Sequence, residues 1–114
     1  MVDGVQLIYK ILTPNQWARF QQEKTFAGSA VDHEDGYIHF STASQVTETA
    51  ARHFGDQSEI WVLAFDVASF GDDLKWEPSR GGQLFPHLYA QCSIEMVAGI
   101  QQVFQSQGRF HFEL

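Results

Sequence analysis

Apolar and polar positions along this chain of 114 residues change period several times, and each change marks a predicted element. Leu7 to Leu12 (LIYKIL) is an uninterrupted β-rich run that stops at Thr13-Pro14, an N-cap followed by a proline suited to the first helical position. A helix over about Pro14 to Lys24 should follow, with Trp17, Phe20 and Gln21 on one face and Gln16, Arg19 and Glu23 largely outside. Asp32 to Gly36 (DHEDG) has the chemistry of a turn. The strand predicted to leave it, Tyr37 to Ser41, alternates with period two, so Ile38 and Phe40 face the core while Tyr37, His39 and Ser41 face a wetter side.

Ser41 or Thr42 can cap a second helix, about Ala43 to Phe54, whose Val46, Ala50 and Phe54 recur every four positions before Gly55 ends it. Ile60 to Val67 is apolar on both faces, the pattern of a central strand covered on both sides. Leu74 to Glu77 reads as a short strand with Leu74 and Trp76 inward, and Pro78 to Gln83 as a flexible loop. In Leu84 to Tyr89, Pro86 forces Phe85 into an extended conformation and argues against a central strand. Ser93 to Phe104 fits a strand or a helix, with a strand favoured at Ile94 to Ala98. Phe110, Phe112 and Leu114 alternate like a last strand. About six strands and two helices result, an α+β class.

Length and composition narrow the function. The chain suits one domain with one core, and its 44% hydrophobic and 14% aromatic content suits a packed globule. A net charge of −7, with only seven scattered lysines and arginines, supplies no basic stripe for DNA and argues against RNA. A small anionic ligand needs only one or two cations and some backbone N–H groups, so it stays compatible. Cys92 is the only cysteine; it excludes an intrachain disulfide, fits a reducing compartment, and its neighbours offer no activation. The start, MVDGVQ, lacks the basic residues and apolar run of a secretion signal, and the longest uncharged apolar run, Ile60 to Phe65, is only strand-sized. These features predict a cytoplasmic protein with no membrane segment.

Two segments carry candidate chemistry. In Gly36 to Ser44 (GYIHFSTAS), His39 lies on a polar strand face two residues before a hydroxyl-capped helix, beside free N–H groups suited to a phosphate or carboxylate. The structural alternative is an imidazole bonded to a neighbouring strand, with Ser41 only a cap. In Phe85 to Tyr89 (FPHLY), His87 sits between aromatics behind a proline, suited to stacking or to donating to an oxyanion. Here the alternative is that the aromatics plug the core and His87 lies at the surface. His33, His53 and His111 have weaker surroundings. No close ligand-spaced histidine motif or cysteine pair supports a metal, and nucleophile-elbow, phosphate-loop and dinucleotide glycine motifs are missing.

Taken together, YKIL near the start, GYIHFS, WVLAFDV, LKWE and LFPHLY resemble the bacterial Domain of Unknown Function 952 family, from about Leu7 to Phe110. The resemblance implies a compact variant of the ADP-ribosyltransferase fold, a split β-sheet whose cleft holds NAD in active members. More distantly the chain is similar to the RNA 2′-phosphotransferases of that superfamily, with His39 and Ser41 in a histidine-hydroxyl motif and Asp66 ending the apolar strand. Those enzymes use several arginines for phosphates and RNA, whereas this chain has four, none in either motif.

The resemblance implies that Glu77 supplies a carboxylate acting on the nicotinamide ribose or on an acceptor, and that Lys10 approaches a pyrophosphate. The expected catalytic groups are His39, His87 and Glu77. Tyr9, Lys10, Ser41 and Thr42 on one side, and Trp76, Phe85 and Tyr89 on the other, are expected to hold the ligand. The leading expectation is a cleft that binds NAD or a related nucleotide, with ADP-ribosyl transfer or NAD cleavage as its chemistry. The rival is a non-catalytic module for another small metabolite or a peptide.

Overall fold

The computed structural model describes residues 6–114; the first five residues, where the missing secretion signal was read, lie outside this range. Leu7–Leu12 forms β1 and runs into α1, Pro14–Glu23. Thr13 caps α1 reciprocally: its hydroxyl accepts the Gln16 N–H, and its own N–H donates to the Gln16 side chain. Trp17 and Phe20 are buried, whereas Gln21 is exposed. β2 (Thr25–Phe26) leads to α2 (Ala30–Asp35), then β3 (Ile38–His39), α3 (Val46–His53) and β4 (Glu59–Asp66). β5 (Leu74–Pro78), β6 (Leu84–Leu88), β7 (Cys92–Ser93), β8 (Val97–Ser106) and β9 (Arg109–Phe110) complete the α+β fold.

Four strands make one antiparallel sheet in the order β1-β4-β8-β9, and three make a second in the order β3-β6-β5. β2 and β7 pair separately. The two larger sheets meet at one antiparallel bridge, where the Tyr9 N–H donates to the Ser41 carbonyl at 2.8 Å and the Ser41 N–H returns to Tyr9 at 2.9 Å. β4 has the expected central place. Leu63 and Phe65 join Ile8, Leu12, Trp17 and Phe20 in one core cluster, while Ile60 and Val62 join Val46 and Ala50 of α3 in another.

Several expectations are corrected. The DHEDG turn is the second half of α2: Ser29 and Asp32 form a second capping box, and Gly36, at φ 89°, closes the helix in the left-handed conformation. The described residues thus hold three α-helices. The next helix begins at Val46 rather than Ala43, and neither Ser41 nor Thr42 caps it by side chain, since the Gln45 amide oxygen instead accepts the Thr42 N–H. Ile94–Met96 is a single 3-10 turn, and the strand expected there is β8, ten residues long, because its ladder with β4 runs from Val97 to Phe104. The last strand pairs only at Arg109–Phe110.

Pro86 lies in the middle strand of its sheet after all. β3 pairs only with Leu88 and His87, and the Pro86 carbonyl accepts the Phe40 N–H at 3.0 Å, so the short β3 ladder extends past proline without a donor from it. Trp76 is 36% exposed at the open edge formed by β5 rather than inward with the 9%-exposed Leu74.

Candidate functional site

Period two puts Tyr37, His39 and Ser41 on one face of the second sheet, and the antiparallel register sets His87 directly across from His39. Phe85 and Tyr89 flank His87 on the same face, with Glu77 of β5 opposite Phe85. The face therefore forms a line, with tyrosines at one end, the two histidines in the middle and Ser41 with Phe85 at the other. It spans four strand residues, about 14 Å.

At its centre the His39 and His87 rings stand edge to face, 5.6 Å apart. Tyr37 stacks over His87 at 4.0 Å, lies 4.7 Å from His39, and approaches Tyr89 at 5.4 Å. His87 is 2% exposed. Its Nδ1 donates to Glu77 Oε1 at 2.8 Å, and the same oxygen accepts the Tyr89 hydroxyl at 2.8 Å. These two hydrogen bonds hold the Glu77 carboxyl below its ordinary pKa, the His87 bond more strongly, and the carboxylate pushes the Tyr89 phenol up. Among the described residues His87 Nε2 is the one buried side-chain nitrogen or oxygen without a hydrogen-bond partner.

His39 is held differently. Its Nδ1 faces Asp32 and its Nε2 faces Asp35 at 2.9 Å; a neutral imidazole can donate to only one of these carboxylates. Asp32, 2% exposed, also accepts the Lys10 ammonium at 2.9 Å, the Ser29 N–H at 2.8 Å and the His39 N–H at 3.1 Å. Burial alone would raise the Asp32 pKa, but the bond from His39, the Lys10 charge and the Ser29 N–H together hold the carboxyl well below the carboxylate range.

Lys10, expected beside a pyrophosphate, is buried instead. Its ammonium donates to both Asp32 oxygens and to the His39 carbonyl, so its donors are engaged inside the protein. Burial lowers its pKa, with Asp32 opposing that shift. Tyr9 is likewise buried, in the core cluster beneath α3. The Ser41 hydroxyl is buried and donates to Thr49 Oγ1 at 3.1 Å, while Thr42 pairs with Ser44 at the surface. Phe85 is buried beneath the Arg80 guanidinium, 5.0 Å from its ring centre. Trp76 lies on the sheet face opposite His87, because it pairs with Pro86.

Of the expected residues, the structure thus brings together His39, His87, Glu77 and Tyr89, with Ser41 and Phe85 at the far end of the line, and leaves Tyr9, Lys10, Thr42 and Trp76 off it. Sequence reasoning missed Asp32, Tyr37, Thr49 and Arg80 as site residues. The S-x-x-D spacing of Ser29 and Asp32 is a capping signal that could have found α2, while nothing local marked Arg80.

A groove of about 370 Å³ adjoins the tyrosine end, lined in part by Asp32, Gly36, Tyr37, Tyr89 and Gln91. Chemically the centre offers one partnerless imidazole nitrogen, three carboxylates and two tyrosine faces. Among the described residues no three acidic, histidine or cysteine side chains converge in a way that could hold a metal ion, and no helix is long and apolar enough to cross a membrane.

Residues 11–100 match the family described as "Protein of unknown function (DUF952)". The crystal structure of protein CC0527 from Caulobacter crescentus is similar at 42% identity and a TM-score of 0.88, over 92% of this chain and 93% of that one. The solution NMR structure of CC0527 is similar at 41% identity and a TM-score of 0.81, over 91% of this chain and 90% of that one. No curated protein matches.

Proposed function

The chain belongs to the DUF952 family, and from that premise we propose that it is a nucleotide-binding protein of ADP-ribosyltransferase type, taking NAD by its nicotinamide-ribose end at the two-histidine cleft. The observation that carries this reading is the partnerless Nε2 of His87. A buried polar atom without a partner costs about 1–3 kcal/mol, and native proteins rarely keep one without a use for it. A ligand hydroxyl or water at Nε2 removes that cost. Tyr37 covers the imidazole, so entry requires its ring to move aside.

The charge of the centre favours this end of the ligand. Glu77 and Asp35 are carboxylates beside two tyrosine faces, surroundings that attract a cationic aromatic ring. The adjoining groove of about 370 Å³ lies near the lower end of ligand pockets, about 300–1,000 Å³, which suits one end of a dinucleotide. In NAD cleavage the bond from ribose C1′ to nicotinamide breaks with its electron pair going to the ring nitrogen. Glu77 stabilises the positive charge left on the ribose. Water adds at C1′ and gives its proton to His87 Nε2, whose lone pair is exposed when Nδ1 donates to Glu77.

The pairing of both His39 nitrogens with carboxylates favours a second reading, binding of a small metabolite without catalysis, since it leaves one free imidazole nitrogen in place of two. Two measurements separate these. Titration calorimetry with NAD should show saturable binding that His87→Phe abolishes while the melting temperature holds or rises, because the phenyl ring fills the site and brings no unsatisfied nitrogen. Nicotinamide release over hours should accompany it. Binding without release leaves the module; no binding of NAD at millimolar concentration ends the nucleotide reading.

A further inference from the structure

The far end of the cleft has the opposite character from its centre. Arg80 comes from the loop between β5 and β6, and its side chain, 22% exposed, lies over Phe85. Its Nη2 donates to Thr49 Oγ1 at 3.1 Å, on the same hydroxyl that accepts from Ser41. Phe85 and His87 share a face two residues apart, so the ring that carries the guanidinium lies about 7 Å along the strand from His87.

The charge of Arg80 is weakly compensated. Its ion pair is with Glu48 at 3.4 Å, and that exposed carboxylate is held closer, at 2.8 Å, by Arg52. Two of the four arginines in a chain of net charge −7 thus share one surface carboxylate. His53, one residue on, has its pKa lowered by burial first and then by the charges of Arg80, Arg52 and His39. A guanidinium has five N–H donors in a planar fork, and here two nitrogens are engaged, through Thr49 and Glu48, among the described residues.

We infer that Arg80, fixed by Thr49 and Phe85 and backed by Arg52, is the anion subsite of this cleft and takes the phosphoryl groups of its ligand, a role that rests on the nucleotide reading above for the ligand's identity. The subsite replaces Lys10 as the cation that meets phosphate. Glu48 occupies it in the free protein and gives way to the incoming anion, whose oxygens match the guanidinium fork better than a single distant carboxylate oxygen does.

Calorimetric titration of the wild-type protein with inorganic pyrophosphate, NAD and nicotinamide riboside, which lacks phosphate, tests this. Arg80→Gln should weaken pyrophosphate and NAD about tenfold or more, the loss of a charge-assisted contact, and leave nicotinamide riboside unchanged. Arg80→Lys should restore part of the affinity, and Glu48→Gln should tighten pyrophosphate about two- to fivefold by removing the competitor. Nicotinamide riboside binding with pyrophosphate absent or indifferent to Arg80→Gln overturns the subsite and leaves the proposed function standing. Pyrophosphate binding through Arg80 without nicotinamide riboside binding does the reverse. If Arg80→Gln does not fold, Glu48→Gln decides, and unchanged pyrophosphate affinity there refutes the inference.

Discussion

Replacing Asp32 by Asn changes one charge and almost no volume, yet it should be among the most damaging substitutions outside the apolar core. Asp32 accepts from four donor groups: the Lys10 ammonium, the Ser29 N–H, the His39 N–H and His39 Nδ1. One carboxyl oxygen serves Ser29 and Lys10, and the other serves both His39 donors and, at 3.2 Å, Lys10 as well. An asparagine has one acceptor oxygen, so whichever way its amide turns, its NH₂ meets at least two of those donors. Lys10 is left charged and buried without its counterion, which costs about 3–5 kcal/mol when a buried pair is broken. That is a large part of the roughly 5–15 kcal/mol that holds a domain together.

Urea denaturation at neutral pH measures the loss as a shift in midpoint. Lys10→Met combined with Asp32→Asn should recover a substantial part of it, since the stranded cation is then gone. The pH dependence has a definite sign. Because the folded carboxyl titrates below its unfolded value, its contribution is complete above about pH 4 and is lost as the pH falls further, so Asp32→Asn should flatten the acid limb of stability. An Asp32→Asn protein that unfolds at the wild-type urea concentration would show that this cluster does not join α2 to β1.

Two simpler measurements check the core. Leu63 is fully buried in β4, so Leu63→Ala should cost about 2–5 kcal/mol in the same urea experiment; a change under about 1 kcal/mol would mean the site collapses around the smaller side chain. Cys92 is buried, and burial pushes its thiol pKa up to about 12, so a thiol reagent at pH 8 should label it only as fast as the protein opens. Labelling in seconds without denaturant would contradict that placement.

The parts of the fold legible in the sequence are those where one segment settles its own structure. β1, α1 and β4 announce themselves by an unbroken apolar run, a reciprocal cap and a doubly covered strand. α2 is hidden in the sequence because acidic residues dense enough to suggest a turn also suit a helix start, and the Ser29 cap lies outside the DHEDG segment. The start of β8 is not legible locally because its alternation is shallow, and only the ladder to β4 fixes where it begins. The two histidines stood out as separate motifs, whereas their register across β3 and β6 is a property of the sheet. Lys10 shows the limit most clearly. Its fate depends on a carboxylate 22 positions later, and no local pattern around YKIL contains that information.

The acidic balance of the chain matters less to the cleft than the order of its charges. At physiological ionic strength charges separated by more than about 8 Å are largely screened, so the net −7 acts weakly on a bound ligand and its immediate neighbours decide. Those neighbours are polarised along the line of the face. Carboxylates and tyrosines stand near the Tyr37 end, with Glu77 held as a carboxylate by His87 and Tyr89, and the guanidinium of Arg80 stands over Phe85 at the other. A ligand of uniform charge would be attracted at one end and repelled at the other. NAD is polarised in the complementary sense, with a cationic nicotinamide ring at one end and a pyrophosphate beyond its ribose. On the proposed reading, the cleft therefore fixes the direction of binding as well as the site: nicotinamide toward Tyr37 and Tyr89, ribose at the histidines, phosphates at Arg80.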